Sequence, residues 1–224
     1  MDFGAGWVQY LFSGLTTGAI YALVAIGYNI IYNVTEVINF AQGEFVMLGG
    51  LMAVFFVGTL HFPIPAAFVC AVLTVSCVGL AMDRFVLSRA RNKSVLSLII
   101  ITIAVSILLK GAAMFEWGKD PYTLPPFTQG EPITIFGAAL QLQALWVLGI
   151  VALVVVLLSI FFHRSMYGKA MLACADNPRA ARLSGIPVRQ MVLLSFLLSA
   201  GIGAAAGAVI TPISLVEYDR GALL

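Results

Sequence analysis

Charge is what this sequence has least of. Only 10% of its 224 residues are Asp, Glu, Lys or Arg, against 61% hydrophobic, and the mean hydropathy is +1.03. So little polar surface cannot cover a water-soluble globule, and lipid must cover most of the chain. The net charge of +2 is also too small to suggest a nucleic-acid partner. Cysteine is scarce too, with three residues that make no disulfide framework; Cys70 and Cys77 lie about 10 Å apart along one helix, too far to bridge. The two histidines, His61 and His163, have no Cys or carboxylate at metal-ligand spacing and read as interfacial residues. Gly118-Lys119 and Gly168-Lys169 lack the earlier glycine and the following hydroxyl residue of a phosphate loop, and neither a Gly-x-Ser-x-Gly elbow nor a His-Glu-x-x-His helix occurs. No cofactor or metal and no catalytic site of its own is therefore expected. Met1-Asp2 carries no basic n-region, so the first apolar run is expected to stay as a span and not to be cleaved.

What the sequence does have is long charge-free runs: Phe3 to Thr35, Phe45 to Met82, Ser94 to Leu109, Pro132 to Phe162 and Gln190 to Val216. A helix needs roughly 20 apolar residues to cross the hydrocarbon layer. The runs therefore predict about six spans, at Val8 to Tyr32, Phe45 to Leu60, Ala66 to Met82, Val95 to Phe115, Gln143 to Phe162 and Met191 to Val216. His61-Phe62-Pro63-Ile64-Pro65 forms the turn within the second run. The fold class is all-α, a polytopic transmembrane helix bundle forming one domain over 1–224, with a cytoplasmic loop over 163–190. Arg84, Arg89, Arg91 and Lys93 gather in one loop, and Arg164, Lys169, Arg179, Arg182 and Arg189 in another, so both face the cytoplasm by the positive-inside rule. The connection from Lys110 to Gln141, rich in Pro, belongs outside, as do the amino end and the residues from Glu217. The closing Gly221-Ala222-Leu223-Leu224 has the composition of another apolar element just opening, so a truncated carboxyl end is one expectation.

Small residues recur every four positions at Gly14, Gly18 and Ala22, and at Ser199, Gly203 and Gly207, which lets helix backbones approach closely. Both helices are expected to pack against protein, within one bundle or against a second permease-like subunit. Between the first two spans, Asn33 to Glu44 mixes amides and two carboxylates with no Lys or Arg. Polar groups at membrane depth are costly unless they meet partners or line a watery cavity. This stretch is read as a substrate path or, failing that, as a short solvated turn near the inner face. Gly43 permits a backbone break beside Glu44. Farther on, Asn177 is a good N-cap, Pro178 suits the first helical position and Gly185 suits a left-handed stop, which together spell a two-turn helix. Such a piece is not stable alone and needs a docking surface, either the membrane through Arg179 and Arg182 or another protein.

Gly14-Leu15-Thr16-Thr17-Gly18-Ala19-Ile20-Tyr21-Ala22-Leu23, followed by Ile38-Asn39-Phe40-Ala41-Gln42-Gly43-Glu44-Phe45-Val46-Met47-Leu48-Gly49, resembles the branched-chain amino-acid ABC permeases of the LivH type. Gln42 replaces the His usual in that family, and both side chains can hydrogen-bond. Gly168 to Ile186 is similar to the permease loop that contacts the ATPase, with Ala180-Ala181 and Gly185 matching its Ala-Ala-x-x-x-Gly core. The resemblance implies one permease subunit of an importer in a bacterial inner membrane. It also implies a homologous permease, two cytoplasmic ATPases and an extracytoplasmic substrate-binding protein as partners. It places Asn39, Gln42, Gly43 and Glu44 on the translocation path, and Asn177, Pro178, Arg179, Ala180, Ala181, Arg182 and Gly185 at the ATPase. Urea or short amides are the alternative cargo. A stand-alone channel or secondary transporter, and an intramembrane enzyme using Glu44 or Glu36, are competing readings that lack an internal repeat and a catalytic motif respectively.

Overall fold

A computed structural model describes residues 3–90, 94–135 and 137–219; Arg91, Lys93 and Gly221 to Leu224 lie outside them. The charge-free runs form helices almost throughout: α1 (Phe3–Thr35), α2 (Gln42–Gly58), α3 (Ile64–Ala81), α4 (Val95–Trp117), α5 (Leu142–Arg164), α6 (Met166–Asp176), α7 (Pro178–Leu183) and α8 (Val188–Ile210). A π-helical turn, Met82–Leu87, extends α3. Local chemistry sets several ends. The Ser94 hydroxyl accepts from the Ser97 amide at the start of α4, and Gly118, at φ 78°, stops that helix. A hairpin of β1 (Ile133–Ile135) and β2 (Ala138–Leu140), not foreseen from the sequence, stiffens the connection between α4 and α5.

Among the described residues, five helices are long and apolar enough to cross a membrane. The expected sixth, α2, is a helix of 17 residues, shorter than a full span. The last helix stops at Ile210, before the expected Val216, because Pro212 cannot continue the hydrogen-bond ladder. Lys110, placed by the sequence reading at the start of the outer connection, lies inside α4.

The bundle is built around α8, which packs against α1, α2 and α3 and has 14 buried residues. Small residues make this possible, since a lipid-like interior provides no hydrophobic force and helices must gain van der Waals contact by close approach. A Cβ at Gly49 would fall on the backbone of Ala204, and one at Gly207 would fall on the Val46 carbonyl. Phe45, Met47, Leu51, Val75, Phe196 and Ala204 fill the space around this seam. The Ser199, Gly203 and Gly207 stripe is thus packed as expected. The stripe on α1 is not covered within this chain: Gly14 and Gly18 meet nothing within 4 Å, and Ala22 is exposed.

The two ends of the bundle differ. At one end, the π-turn, the start of α4, α7 and the start of α8 surround a common cavity, bringing the basic loops together. At the other, Tyr122 and Val216 exchange backbone hydrogen bonds of 2.8 Å, and Thr123 donates to the Thr211 carbonyl. Gly207→Val should therefore destabilise the bundle by about 1–3 kcal/mol through overpacking, read as a lower melting midpoint of the purified protein in detergent, whereas Gly18→Val should leave that midpoint unchanged.

Candidate translocation site and docking helix

The polar stretch after α1 is a true break in the helical chain. Glu36, in the left-handed region at φ 56°, stops α1, with its amide donating to the Tyr32 carbonyl. Residues 37–41 then run non-helically back into the bundle. Gly43, expected to permit the break, is instead helical in the first turn of α2. Glu36 takes that role because a C-terminal helix stop tolerates a single left-handed residue.

The depth of the break follows from its partners. The Thr102 hydroxyl donates to the Ile99 carbonyl of its own helix at 2.8 Å and accepts from the Phe40 amide at 3.3 Å, with the Ile38 carbonyl 3.5 Å away. Ser106 donates to Glu44 Oε1 at 2.8 Å. Ser106 lies about 11 residues, or roughly 16 Å, from the start of the 23-residue α4. Gln42 meets α8 about halfway along as well: the Ser199 hydroxyl is 2.6 Å from Gln42 Oε1 and 2.6 Å from the Gly27 carbonyl, and Gln42 Nε2 donates to the Ser199 carbonyl at 3.4 Å. The break thus runs from the basic end, where Glu36 and Asn39 line the cavity, inward to Gln42 and Glu44, which open α2 and meet the middle of α8 and α4. This also explains the length of α2, which starts at mid-depth and has only part of the membrane to cross.

Asn39, Gln42 and Glu44 are exposed by only 2%, 2% and 1%. Irregular backbone survives at this depth only where protein or a cavity meets its polar groups. Thr35 Oγ1 accepts from the Val37 amide, and Asn39 Oδ1 from the Ala41 amide. Glu44 sits in the first turn of α2, where the helix dipole favours a negative charge. Lys110 Nζ lies 3.8 Å from Glu44 Oε1 and 2.9 Å from Asp219 Oδ1 beyond α8. Two buried polar atoms, Asn39 Nδ2 and Glu44 Oε2, make no hydrogen bond. Asn39 lines the cavity, of about 470 Å³, that opens at the basic end; Gln42, Gly43 and Glu44 do not, and the side chains of Gln42 and Glu44 bond to α8 and α4.

The sequence reading missed Thr102, Ser106 and Lys110. Their four-residue spacing in an otherwise apolar span marks one helix face and was a usable signal.

The second predicted element forms as its residues spell it. Asn177 Oδ1 accepts from the amides of Arg179 and Ala180, each at 3.0 Å, with Pro178 in the first turn. At the other end Gly185, at φ 83°, donates to the Arg182 carbonyl and Ile186 to the Ala181 carbonyl, both bonds of a Schellman stop. Ala181 is buried against the bundle, while Leu183 is 91% exposed. Pro178 and Arg182 line the same cavity as Asn39. Burial in apolar surroundings raises the Cys174 thiol, on α6 beneath α7, above its ordinary pKa.

A helical bundle with a partnered polar break reaching mid-depth and a short exposed helix at its basic end has the architecture of a membrane permease. Residues 10–219 match the family described as branched-chain amino acid transport system / permease component. Over 218 residues the chain is 30% identical to the high-affinity branched-chain amino acid transport system permease protein LivH of Salmonella typhimurium, spanning 91% of this chain and 70% of that protein. The LivH protein of Escherichia coli K12 matches equally well. BraD of Pseudomonas aeruginosa is 28% identical over 216 residues, with the same coverage. No solved structure matches the chain. The chain belongs to this permease family and is a multi-pass membrane protein.

Two outcomes follow from the site. Lys110→Met leaves Glu44 buried without its cation and should cost about 3 kcal/mol, and Glu44→Gln in the same chain should restore much of the lost melting midpoint. Asn177→Ala removes a cap worth about 1 kcal/mol, so hydrogen exchange at residues 180–183 should speed up about fivefold.

Proposed function

We propose that this chain is the permease subunit of an ATP-binding-cassette importer that moves branched-chain amino acids across a bacterial inner membrane, with ATP hydrolysed on separate subunits. The observation that carries the reading is the break over 36–41, tied to α4 by Thr102, continuous with a cavity at the basic end and leading to Gln42, which Ser199 holds halfway along α8. Polar groups kept at such depth are retained where something polar must pass. In this reading Asn39, Gln42, Gly43 and Glu44 act by hydrogen bonding and by keeping the break polar, and they perform no chemistry. The basic end is cytoplasmic. There the segment from Asn177 to Gly185, rigid at both ends, docks on one of two ATPases and transmits its movement through Ala181 to the bundle. The uncovered α1 stripe of Gly14 and Gly18 favours a homologous permease as lateral partner. An extracytoplasmic binding protein delivers the cargo and sets much of its selectivity.

The test is uptake of labelled leucine, isoleucine, valine and urea by cells with and without the gene. Leucine, isoleucine and valine should accumulate in a manner dependent on the gene; urea uptake alone would replace the cargo. Asn39→Ala and Glu44→Ala should each lower uptake at least about tenfold at equal expression, and wild-type rates in both would remove the assignment of the path. Leu183→Cys should crosslink to an ATPase subunit when the assembled complex is oxidised with a bifunctional thiol reagent; no crosslink would remove the docking role.

A further inference from the structure

The cavity at the basic end has more chemistry than an exit from the bundle requires. Its wall is aliphatic, with Ile31, Val37, Leu98 and Val192 beside the ring of Phe196. Charges of both signs line the same space: Glu36 and Asp83 on one hand, Arg182 and Arg189 on the other. Among the described residues, neither arginine is in an ion pair. Asn39, almost wholly buried, lines the cavity with an amide nitrogen that has no acceptor. Leaving such a donor unsatisfied is costly, and the cost is removed when a ligand supplies the oxygen. At about 470 Å³ the space is in the range of ordinary small-molecule sites.

These features together select a ligand class. A carboxylate fits two guanidinium groups and a free amide donor. An ammonium group fits Glu36, and an aliphatic side chain fits the wall. The lining is also shared between moving parts. Thr35 to Asn39 belong to the break, Pro178 and Arg182 to the docking helix, and Arg189 to the start of α8.

We propose that this cavity is a binding site, open to the cytoplasm, for a free α-amino acid with a branched aliphatic side chain, and that its occupancy ties the docking helix to the break and slows import. The cargo accumulating inside thereby restrains its own entry. The inference rests on the function proposed above for its orientation and its substrate class.

Equilibrium binding of labelled L-leucine to the purified assembled transporter, without its external binding protein, tests the site. Saturable binding is expected, competed by valine and isoleucine but not by leucinamide, which lacks the carboxylate, or by 4-methylpentanoate, which lacks the ammonium. Arg189 is exposed, so its replacement does not threaten the fold. Arg189→Ala should weaken leucine binding about tenfold, and Arg189→Lys should keep it within about threefold of wild type. Absence of saturable binding, or Arg189→Ala binding as wild type does, overturns the site. In proteoliposomes, loading leucine inside should slow leucine import relative to loading alanine, and Arg189→Ala should abolish the difference; equal rates under both loads overturn the restraint. Import without this binding sinks the site and leaves the transport reading standing, whereas binding without import sinks the transport reading alone.

Discussion

A few residues of non-helical backbone, folded in between the helices, govern the arrangement of this bundle. Polar groups of the break find partners in protein, and each partner fixes a neighbour. Thr102 aligns α4 with Phe40 and Ile38, Ser199 aligns α8 with Gln42 and Gly27, and Ser106 draws Glu44 to the same face of α4. Hydrogen bonds in the lipid interior have no solvent competitor, so their loss is not made good locally. The position of three helices is therefore set by the needs of one short segment.

The glycines of α2 and α8 answer the same constraint from the apolar side. Holding a break that reaches mid-depth requires a rigid wall behind it, and the wall is the seam where Gly49 meets Ala204 and Gly207 meets Val46. Bulk is excluded there so that the helices touch along their backbones. By contrast α4 and α5 are bound loosely and expose most of their apolar surface, as elements that face lipid or another subunit can.

How much of this could be read in advance depended on whether the signal was local. The helices were legible as charge-free runs, since bilayer thickness converts run length directly into spans. The short helix α7 was legible because Asn177, Pro178 and Gly185 act through their own backbone neighbours. The break was legible as a polar patch, but its depth was not. Depth depends on which face of α4 turns inward, and Thr102, Ser106 and Lys110 reveal their meaning only once α2 lies against them. Gly43 was the obvious hinge by residue type, yet Glu36 adopts the left-handed conformation, because the stop of α1 and not the start of α2 sets the turn. The stripe on α1 had the same pattern as that on α8, and spacing alone could not say which would be covered.

Lys110 holds two carboxylates of opposite circumstance: Asp219 is largely in solvent and Glu44 is enclosed. A cation shared in this way forms a tether about one side chain long between the far rim of the protein and its interior. Were the rim segment after α8 to shift, the ammonium would lose its nearer anion and keep only the enclosed one. Displacement at the surface would then become a change of electric field beside Glu44, with no helix needing to slide.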